Sequence, residues 1–331
     1  MSNRVLVTGG AGYIGSHVVK LLGAAGHRPV VLDNLSKGRA DAVLYGELVI
    51  GDTGDHPLVS RLLREHAIDT VMHFAAYTIV PESVSDPLKY YANNTCNTRN
   101  LLACCVAAGV DKFVFSSTAA VYGMPADGIC DETTATVPIN PYGQSKLMSE
   151  LMLRDASHAH GLRAVVLRYF NVAGSDPEGV IGQSTPNSTL LIKVAVEAAF
   201  GKRERVYVYG TDYPTKDGTG VRDYIHVSDL AAAHIDALNY LSAGGPTVTL
   251  NCGYGHGYSV REVLQAVERL GPCKLPITET ERRPGDPPLL IARADQVKQV
   301  LGWAPRYADL DVIVDSALKW ERHLGENTAT R

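Results

Sequence analysis

Short apolar runs alternate with amphipathic stretches through the first half of the chain. Val5-Leu6-Val7 predicts a strand, and His17 to Leu22 continues a helix after a glycine-rich turn. Arg28 to Leu32 and Leu48-Val49-Ile50 predict two more strands, with a helix over 58–66 between the latter and a strand at 70–74. One long helix over 87–108, a strand at 112–116, a helix after Asn140 and a strand at 164–167 follow. Such continuous apolar runs suit strands covered on both faces. The β–α alternation therefore calls for a parallel, doubly wound sheet, with ligands at the carboxyl ends of its strands. Asp33, Asp52, His73 and Ser116-Ser117-Thr118 stand at such ends. Beyond about residue 175 the pattern loosens into Gly- and Pro-rich stretches such as 212–220 and 284–288. We expect a first domain over 1–175 and a smaller α/β substrate-binding domain over 176–331. A segment near 222–245, helix-like and apolar-periodic over 225–240, is expected to return to the first domain.

The turn after the first strand carries candidate chemistry. Thr8-Gly9-Gly10-Ala11-Gly12-Tyr13-Ile14-Gly15 departs from G-x-G-x-x-G by one residue between the first two glycines. The physics is the same: a tight turn, close backbone approach, and a helix N-terminus aimed at a pyrophosphate. Asp33 follows Gly15 by eighteen residues, where an acid bonds the adenosine ribose hydroxyls. Its charge repels a 2′-phosphate, which favours NAD over NADP. The first domain is thus expected to be of Rossmann type.

Tyr142-Gly-Gln-Ser-Lys146 places a phenol and an ammonium four residues apart, on one helix face. Asn140-Pro141 reads as the helix start, with Asn as N-cap and Pro at the first position. The fields of Lys146 and of the helix N-terminus are expected to lower the Tyr142 pKa from about 10, toward a general base near neutral pH.

Composition narrows the class. The 331 residues are 45% hydrophobic and 20% charged, as in a globular protein with ample core. A net charge of −4 leaves no footprint for nucleic acid, and no apolar run approaches a membrane span. The N-terminus enters a strand at once, leaving no room for a signal peptide, so a cytoplasmic location is expected. Cysteines 96, 104, 105, 130, 252 and 273 show no metal spacing, so no metal is expected and reduced thiols are.

Eight stretches together resemble the extended short-chain dehydrogenase/reductase superfamily and, within it, the UDP-glucose (UDP-galactose) 4-epimerase family. They are VTGGAGYIGSH (7–17), DNLSKG (33–38), HFAAYTIVPES (73–83), FSSTAAVYG (115–123), PYGQSKL (141–147), LRYFNVAG (167–174), DGTGVRDYIHVSDLA (217–231) and RRPGDPP (282–288). The resemblance spans about residues 3–322. It implies an NAD-dependent isomerase of UDP-hexoses in galactose metabolism, working as a homodimer. Thr118, Tyr142 and Lys146 are implied as catalytic. Tyr142 would take the proton of the sugar 4-hydroxyl while hydride leaves C4, and the 4-keto sugar would be reduced again from its other face.

Further roles follow by position. Gly9, Gly12, Tyr13, Ile14 and Gly15 would hold the pyrophosphate; Asp33, Asn34, Leu35, Ser36, Lys37 and Gly38 the adenosine ribose. Asp52 and Thr53 would meet the adenine. Phe74, Ala75, Ala76, Tyr77, Thr78, Asn93, Lys146 and Phe170 would flank the nicotinamide half. Asn171, Arg222, Arg283 and Asp286 would hold the diphosphate and uridine ribose, and Tyr207, Val208 and Tyr209 the uracil edge. Two arginines suit a diphosphate because their forks match its oxygens. Leu290 would gate the space around the sugar C2 substituent. His73 and His226 read as structural.

Thr118 is followed by Ala119-Ala120, where dehydratase relatives carry acids, so elimination has no proton carrier. Thr78 stands where many relatives have Lys, and Leu190 where Asn or His contacts the phosphates. UDP-N-acetylglucosamine or UDP-pentose epimerisation, or net NAD-dependent dehydrogenation, stay open as alternatives. A dinucleotide sensor does not suit an intact Thr118, Tyr142 and Lys146.

Overall fold

The computed structural model describes residues 3–283 and 285–329. The first half runs β1 (Val5–Thr8), α1 (Tyr13–Ala24), β2 (Val30–Asp33), β3 (Glu47–Ile50), α2 (His56–Glu65) and β4 (Thr70–His73). It continues with α3 (Val80–Ser85), α4 (Pro87–Tyr90), α5 (Asn97–Ala108), β5 (Lys112–Ser116), β6 (Ile129–Cys130), α6 (Pro141–His160), β7 (Arg163–Tyr169) and β8 (Asn171–Ala173). The second half holds α7 (Leu191–Ala199), β9 (Val206–Tyr209), β10 (Val221–His226), α8 (Val227–Ser242), β11 (Val248–Cys252) and β12 (Gly257–Ser259). Then follow α9 (Val260–Leu270), β13 (Ile277–Thr280), β14 (Leu289–Ala292), α10 (Asp295–Leu301) and α11 (Leu310–Ala329).

Seven parallel strands form the main sheet in the order β3-β2-β1-β4-β5-β7-β11. This is a doubly wound, Rossmann-like α/β fold. Every residue of β1, β2 and β4 is buried, because helices cover both faces. One core cluster packs Val18, Val19 and Leu22 of α1 with Leu230, Ala237 and Leu238 of α8. The opposite face packs Leu62 and Leu63 of α2, Leu101 and Leu102 of α5 and Leu153 of α6. A second sheet, β12-β10-β14-β6 with β8 on β10, and a β13-β9 pair lie outside the main sheet. The chain passes between sheets: β6 pairs with β14, β8 with β10, and β11 supplies the seventh strand of the main sheet.

Two local expectations differ from the structure. Residues 87–108 are interrupted by a π-helical turn at Tyr91–Cys96, which carries Asn94 inward. Ile225 belongs to β10 and not to a helix, since α8 begins only at Val227, capped by the His226 ring. Among the described residues no helix is long and apolar enough to cross a membrane.

Candidate active site

At the carboxyl end of β1 the chain turns through Gly9, whose φ is +72° and whose N–H donates to the Leu32 carbonyl at 2.8 Å. A Cβ at Gly9 would stand 2.6 Å from the Ala75 nitrogen, and one at Gly15 would stand 2.3 Å from the Gly9 oxygen. Glycine is needed at both, and at Gly9 for its left-handed φ as well. Helix α1 starts at Tyr13 with Gly12 as N-cap and no side-chain cap, so its first N–H groups are free for an anion.

Asp33, buried at the tip of β2, accepts from Ala11 N–H at 3.0 Å and Leu35 N–H at 2.8 Å. Burial raises its pKa and these two bonds work against the rise. A carboxylate has about four acceptor sites, so two remain for ribose hydroxyls. Asn34 donates to Asp52 at 2.9 Å, and Asp52 also accepts from Gly54 N–H and the Asn97 amide. Gly38 lies against Ala11, closing the loop over the glycine turn.

The resulting cleft of about 90 Å³ is lined by Gly9, Gly12, Asp33, Asn34, Ser36, Lys37, Gly38, Asp52, Thr53, Phe74, Ala75, Ala76, Tyr77 and Asn93. The remaining predicted cofactor residues are not part of that lining. Tyr13 turns its hydroxyl to the Gly174 carbonyl at 2.6 Å, and Ile14 packs on the core. Leu35 takes a φ of +57°, Thr78 is exposed and Phe170 is buried. Open N–H groups, absent Cβ atoms and a carboxylate at the end of β2 fit a dinucleotide.

Helix α6 begins as expected, with the Asn140 side chain accepting from Gly143 N–H at 2.8 Å and Pro141 in its first turn. A Cβ at Gly143 would come 2.5 Å from the Ala120 carbonyl oxygen. The glycine thus lets α6 lie directly on the turn that follows β5, a role the sequence pattern did not signal. Tyr142 and Lys146 are both buried. Lys146 Nζ donates to the Ser116 carbonyl at 2.7 Å and lies 4.7 Å from the centre of the Phe115 ring.

The Tyr142 phenol is not lowered in this structure: burial raises its pKa, and a hydrogen bond with Thr118 only partly offsets that. Lys146 suffers the same penalty. Burial pushes its ammonium down to about 7, with the Glu150 charge pulling it back up. Burial disfavours a charge of either sign, and it outweighs the helix field on which the sequence expectation rested.

Asn94, buried on the π-helical turn, joins the cleft to α6 and was missed from sequence. It accepts from Tyr77 N–H at 2.9 Å and donates to the Tyr77 carbonyl and to Ser145 Oγ, both at 3.0 Å. Its one sequence signal is a polar residue on the inward side of a helical stretch. His73 is a structural link, 2.6 Å from Thr8 Oγ1 and 2.9 Å from Thr98 Oγ1. Thr98 donates onward to the Asn94 carbonyl, so His73 donates through Nε2 and accepts at Nδ1. Burial, with Lys146 nearby, pushes its pKa down to about 3, so the ring is neutral. His226 is likewise neutral, its pKa pushed down by burial to about 4, and it lies 3.2 Å from Ser316 Oγ.

The expected substrate residues form a second cluster. The Arg283 guanidinium lies over the Tyr209 ring at 3.6 Å, and Arg222 is 3.8 Å from Asp286. Arg222 and Leu290 are register partners in the β10–β14 pair, so their side chains share one face. Asn171 begins β8, beside Tyr224 of β10. Strand β9 pairs only with β13, and Val206 and Gly210 N–H groups point that way, so the main-chain groups of Tyr207 and Tyr209 face an open edge. Val208 turns its side chain into the core and its main-chain groups toward β13, so it does not stand on that open edge as the sequence reading expected. Arg282 is held by Asp212 at 2.7 Å, and Leu190 caps α7 without a side-chain bond. Pro284 of the RRPGDPP stretch lies outside the described residues.

Sheet order and cleft define the class: a Rossmann-like enzyme built around a dinucleotide. Residues 5–253 match the NAD dependent epimerase/dehydratase family, and the chain belongs to that family. It is an NAD-dependent isomerase, alike along nearly its full length to UDP-glucose 4-epimerases. That of Azospirillum brasilense is 57% identical, over 98% of this chain and 94% of its own. The UDP-glucose 4-epimerase of Brucella ovis, solved in complex with NAD, superimposes with a TM-score of 0.94 at 45% identity, covering 98% and 99% of the two chains. The UDP-Glc/GlcNAc 4-epimerase of Campylobacter jejuni gives 0.86 at 46% identity, covering 97% and 100%.

Proposed function

We propose that the chain interconverts UDP-glucose and UDP-galactose by oxidation and re-reduction at C4 of the sugar. The observation that carries this reading is the Thr118–Tyr142–Lys146 cluster at the end of β5, followed by two alanines. When bound, NAD supplies a hydride acceptor and a positively charged ring. Tyr142 takes the proton from the 4-hydroxyl and later returns it; Thr118 bonds the same oxygen. Lys146 carries the compensating positive charge. No acid stands beside Thr118 to drive elimination, so inversion at C4 is the reaction open to these side chains.

The α1 N-terminus would receive the cofactor pyrophosphate, Asp33 its adenosine ribose, and Asp52 and Thr53 its adenine. Arg222 and Arg283 receive the substrate diphosphate, and the open edge of β9 receives the uracil. We assign the cofactor to residues 1–175 with a returning segment near 222–245, and the sugar nucleotide mainly to 176–331. Product NMR with UDP-glucose tests the reading: UDP-galactose should form without net NADH at 340 nm. Stoichiometric NADH release would make the chain a dehydrogenase.

Leu290 sets the room at the sugar C2 position in this reading. Leu290→Tyr should leave UDP-glucose turnover nearly unchanged and reduce any turnover of UDP-N-acetylglucosamine about five- to a hundred-and-fifty-fold, because overpacking costs about 1–3 kcal/mol. An unchanged ratio of kcat/KM for the two sugars would remove Leu290 from the pocket.

We further propose a cytoplasmic homodimer serving galactose metabolism. Leu101 and Leu102 of α5 and Leu153 of α6 are buried in the chain's own core and take no part in the pairing. Val84, Leu88 and Leu151 on α3, α4 and α6 stay exposed, at 63%, 76% and 39%, and supply the apolar face. Light scattering should give twice the chain mass at micromolar concentration; a monomer would sink the pairing.

A further inference from the structure

Three successive residues at the tip of β5 each meet a different residue of α6. Ser116 accepts from Lys146 through its carbonyl, Ser117 donates its hydroxyl to Glu150, and Thr118 shares a hydrogen bond with Tyr142. Positions 142, 146 and 150 lie on one helix face, four residues apart. Two of these contacts belong to the catalytic cluster. The middle one does not, and Glu150 is 7% exposed in a place where an unpaired carboxylate would be costly.

Glu150 is fully engaged. Arg168 of β7 donates Nη2 to its Oε2 at 2.6 Å and Nε to both oxygens at 3.1 and 3.2 Å. Arg168 also donates Nη1 to the Tyr122 hydroxyl at 3.1 Å, and Tyr122 donates to Asn251 at 2.6 Å. The carboxylate therefore fastens the serine–threonine tip to the catalytic helix from behind, with its own charge held by the neighbouring strand.

We propose that Glu150 is a positioning residue of the catalytic site, which sets the register of the Ser116–Thr118 tip on α6 and places an anion one helical turn from Lys146. The proposal rests on the epimerase reading above. Thr118 can reach the phenol and the sugar oxygen only if the tip stays within hydrogen-bond range of α6. The second role follows from charge: Glu150 is the anion one helical turn from Lys146, and burial otherwise favours the neutral amine. The other groups facing this ensemble are the neutral rings of His73 from β4 and of His234 from α8, the latter 3.0 Å from Ser116 Oγ, with Phe115 from β5, Arg168 from β7 and, near the phenol, Tyr90 and Tyr169. None of them supplies a second negative charge to Lys146.

Two variants separate the roles. Ser117→Ala removes the middle bond and leaves the buried ion pair, so it keeps the fold and every charge. We expect kcat to fall about fivefold with KM and bound NAD unchanged, since a small misplacement of a reacting group is costly. Glu150→Gln removes the charge. Its pH–rate profile should move to lower pH by about one unit, because Lys146 loses the anion one helical turn away. Lys146 ionisation, followed by 15Nζ-lysine NMR of the NAD-loaded enzyme and assigned with Lys146→Arg, should shift the same way without any sugar. A wild-type kcat in Ser117→Ala overturns the positioning role, and decides the matter alone if Glu150→Gln does not fold. An unshifted titration in folded Glu150→Gln overturns the charge role. If the titration shifts while the wild type fails to epimerise UDP-glucose, the functional reading falls and the electrostatic role of Glu150 stands.

Discussion

Tyr142→Phe should lose about 10² or more in kcat while folding and binding NAD like the wild type. The ring stays packed among the same neighbours, so the only structural loss is one hydrogen bond with Thr118, about 1 kcal/mol. Loss of the ionisable oxygen removes the proposed acceptor of the 4-hydroxyl proton, since Thr118 is an alcohol and Lys146 Nζ is tied to the Ser116 carbonyl. The pH dependence has a definite sign. Burial holds the phenol above its usual range, so below that pKa it is protonated and cannot act as base. Activity of the wild type should therefore rise with pH until Lys146 loses its proton, and the residual activity of Tyr142→Phe should lack that rising limb. Turnover, thermal midpoint and bound NAD measured on one preparation provide the check. Near wild-type turnover would remove Tyr142 from the chemistry.

Asp223→Ala should be the most damaging substitution away from the reacting atoms. The Asp223 carboxylate is fully buried and accepts from the N–H groups of Tyr254, Gly255 and Ala292 at 3.0, 2.9 and 3.3 Å. It thereby clips the turn after β11, and β14, to β10. Alanine leaves three N–H groups without their acceptor, of which that of Ala292 is buried and the other two are in part open to water, so a loss of about 1–3 kcal/mol is expected at pH 7.

Burial pushes the Asp223 carboxyl up to about 6, against the three N–H bonds that favour its anion. The unfolded value is about 4, so the folded chain binds this proton more tightly. That contribution is complete below pH 4 and lost as pH rises through 6, amounting to about 3 kcal/mol. The gap between wild type and Asp223→Ala should accordingly widen as pH falls from 7 to 4. Denaturant midpoints at several pH values read this directly, and a gap independent of pH would refute the buried titration. Arg222 and Leu290 sit on the clipped strands, so the variant should also raise KM for the sugar nucleotide.

The strand at Val5, the glycine turn, the acid at the end of β2 and the Asn140-Pro141 helix start were all legible from the amino-acid order. Each depends on residues close together in sequence: a glycine's left-handed φ, an N-cap, an i,i+4 pair on one face. The motif-bearing residues carried the family resemblance for the same reason. The π-helical turn at Tyr91–Cys96 was not legible, because Asn94 gains its partners from Tyr77 and Ser145, seventeen and fifty-one residues away. Glycine at 143 was likewise silent until Ala120 was seen beside it.

What the sequence by itself determined is the doubly wound α/β class, the dinucleotide turn and the identity of the Tyr142–Lys146 pair. Tertiary structure decided which charges that pair feels. The periodicity of α6 puts Glu150 on the same face as Lys146, but only the folding of β5 and β7 against that face supplies Ser117 and Arg168 and excludes water. Burial then reverses the expected lowering of the phenol pKa, because the cost of removing a charge from water depends on everything packed around it. The crossing of β6, β8 and β11 between sheets is a tertiary fact of the same kind. Strand pairing joins Asn171 to Tyr224 and Ile129 to Ile291, far apart along the chain, and no local pattern encodes the partner.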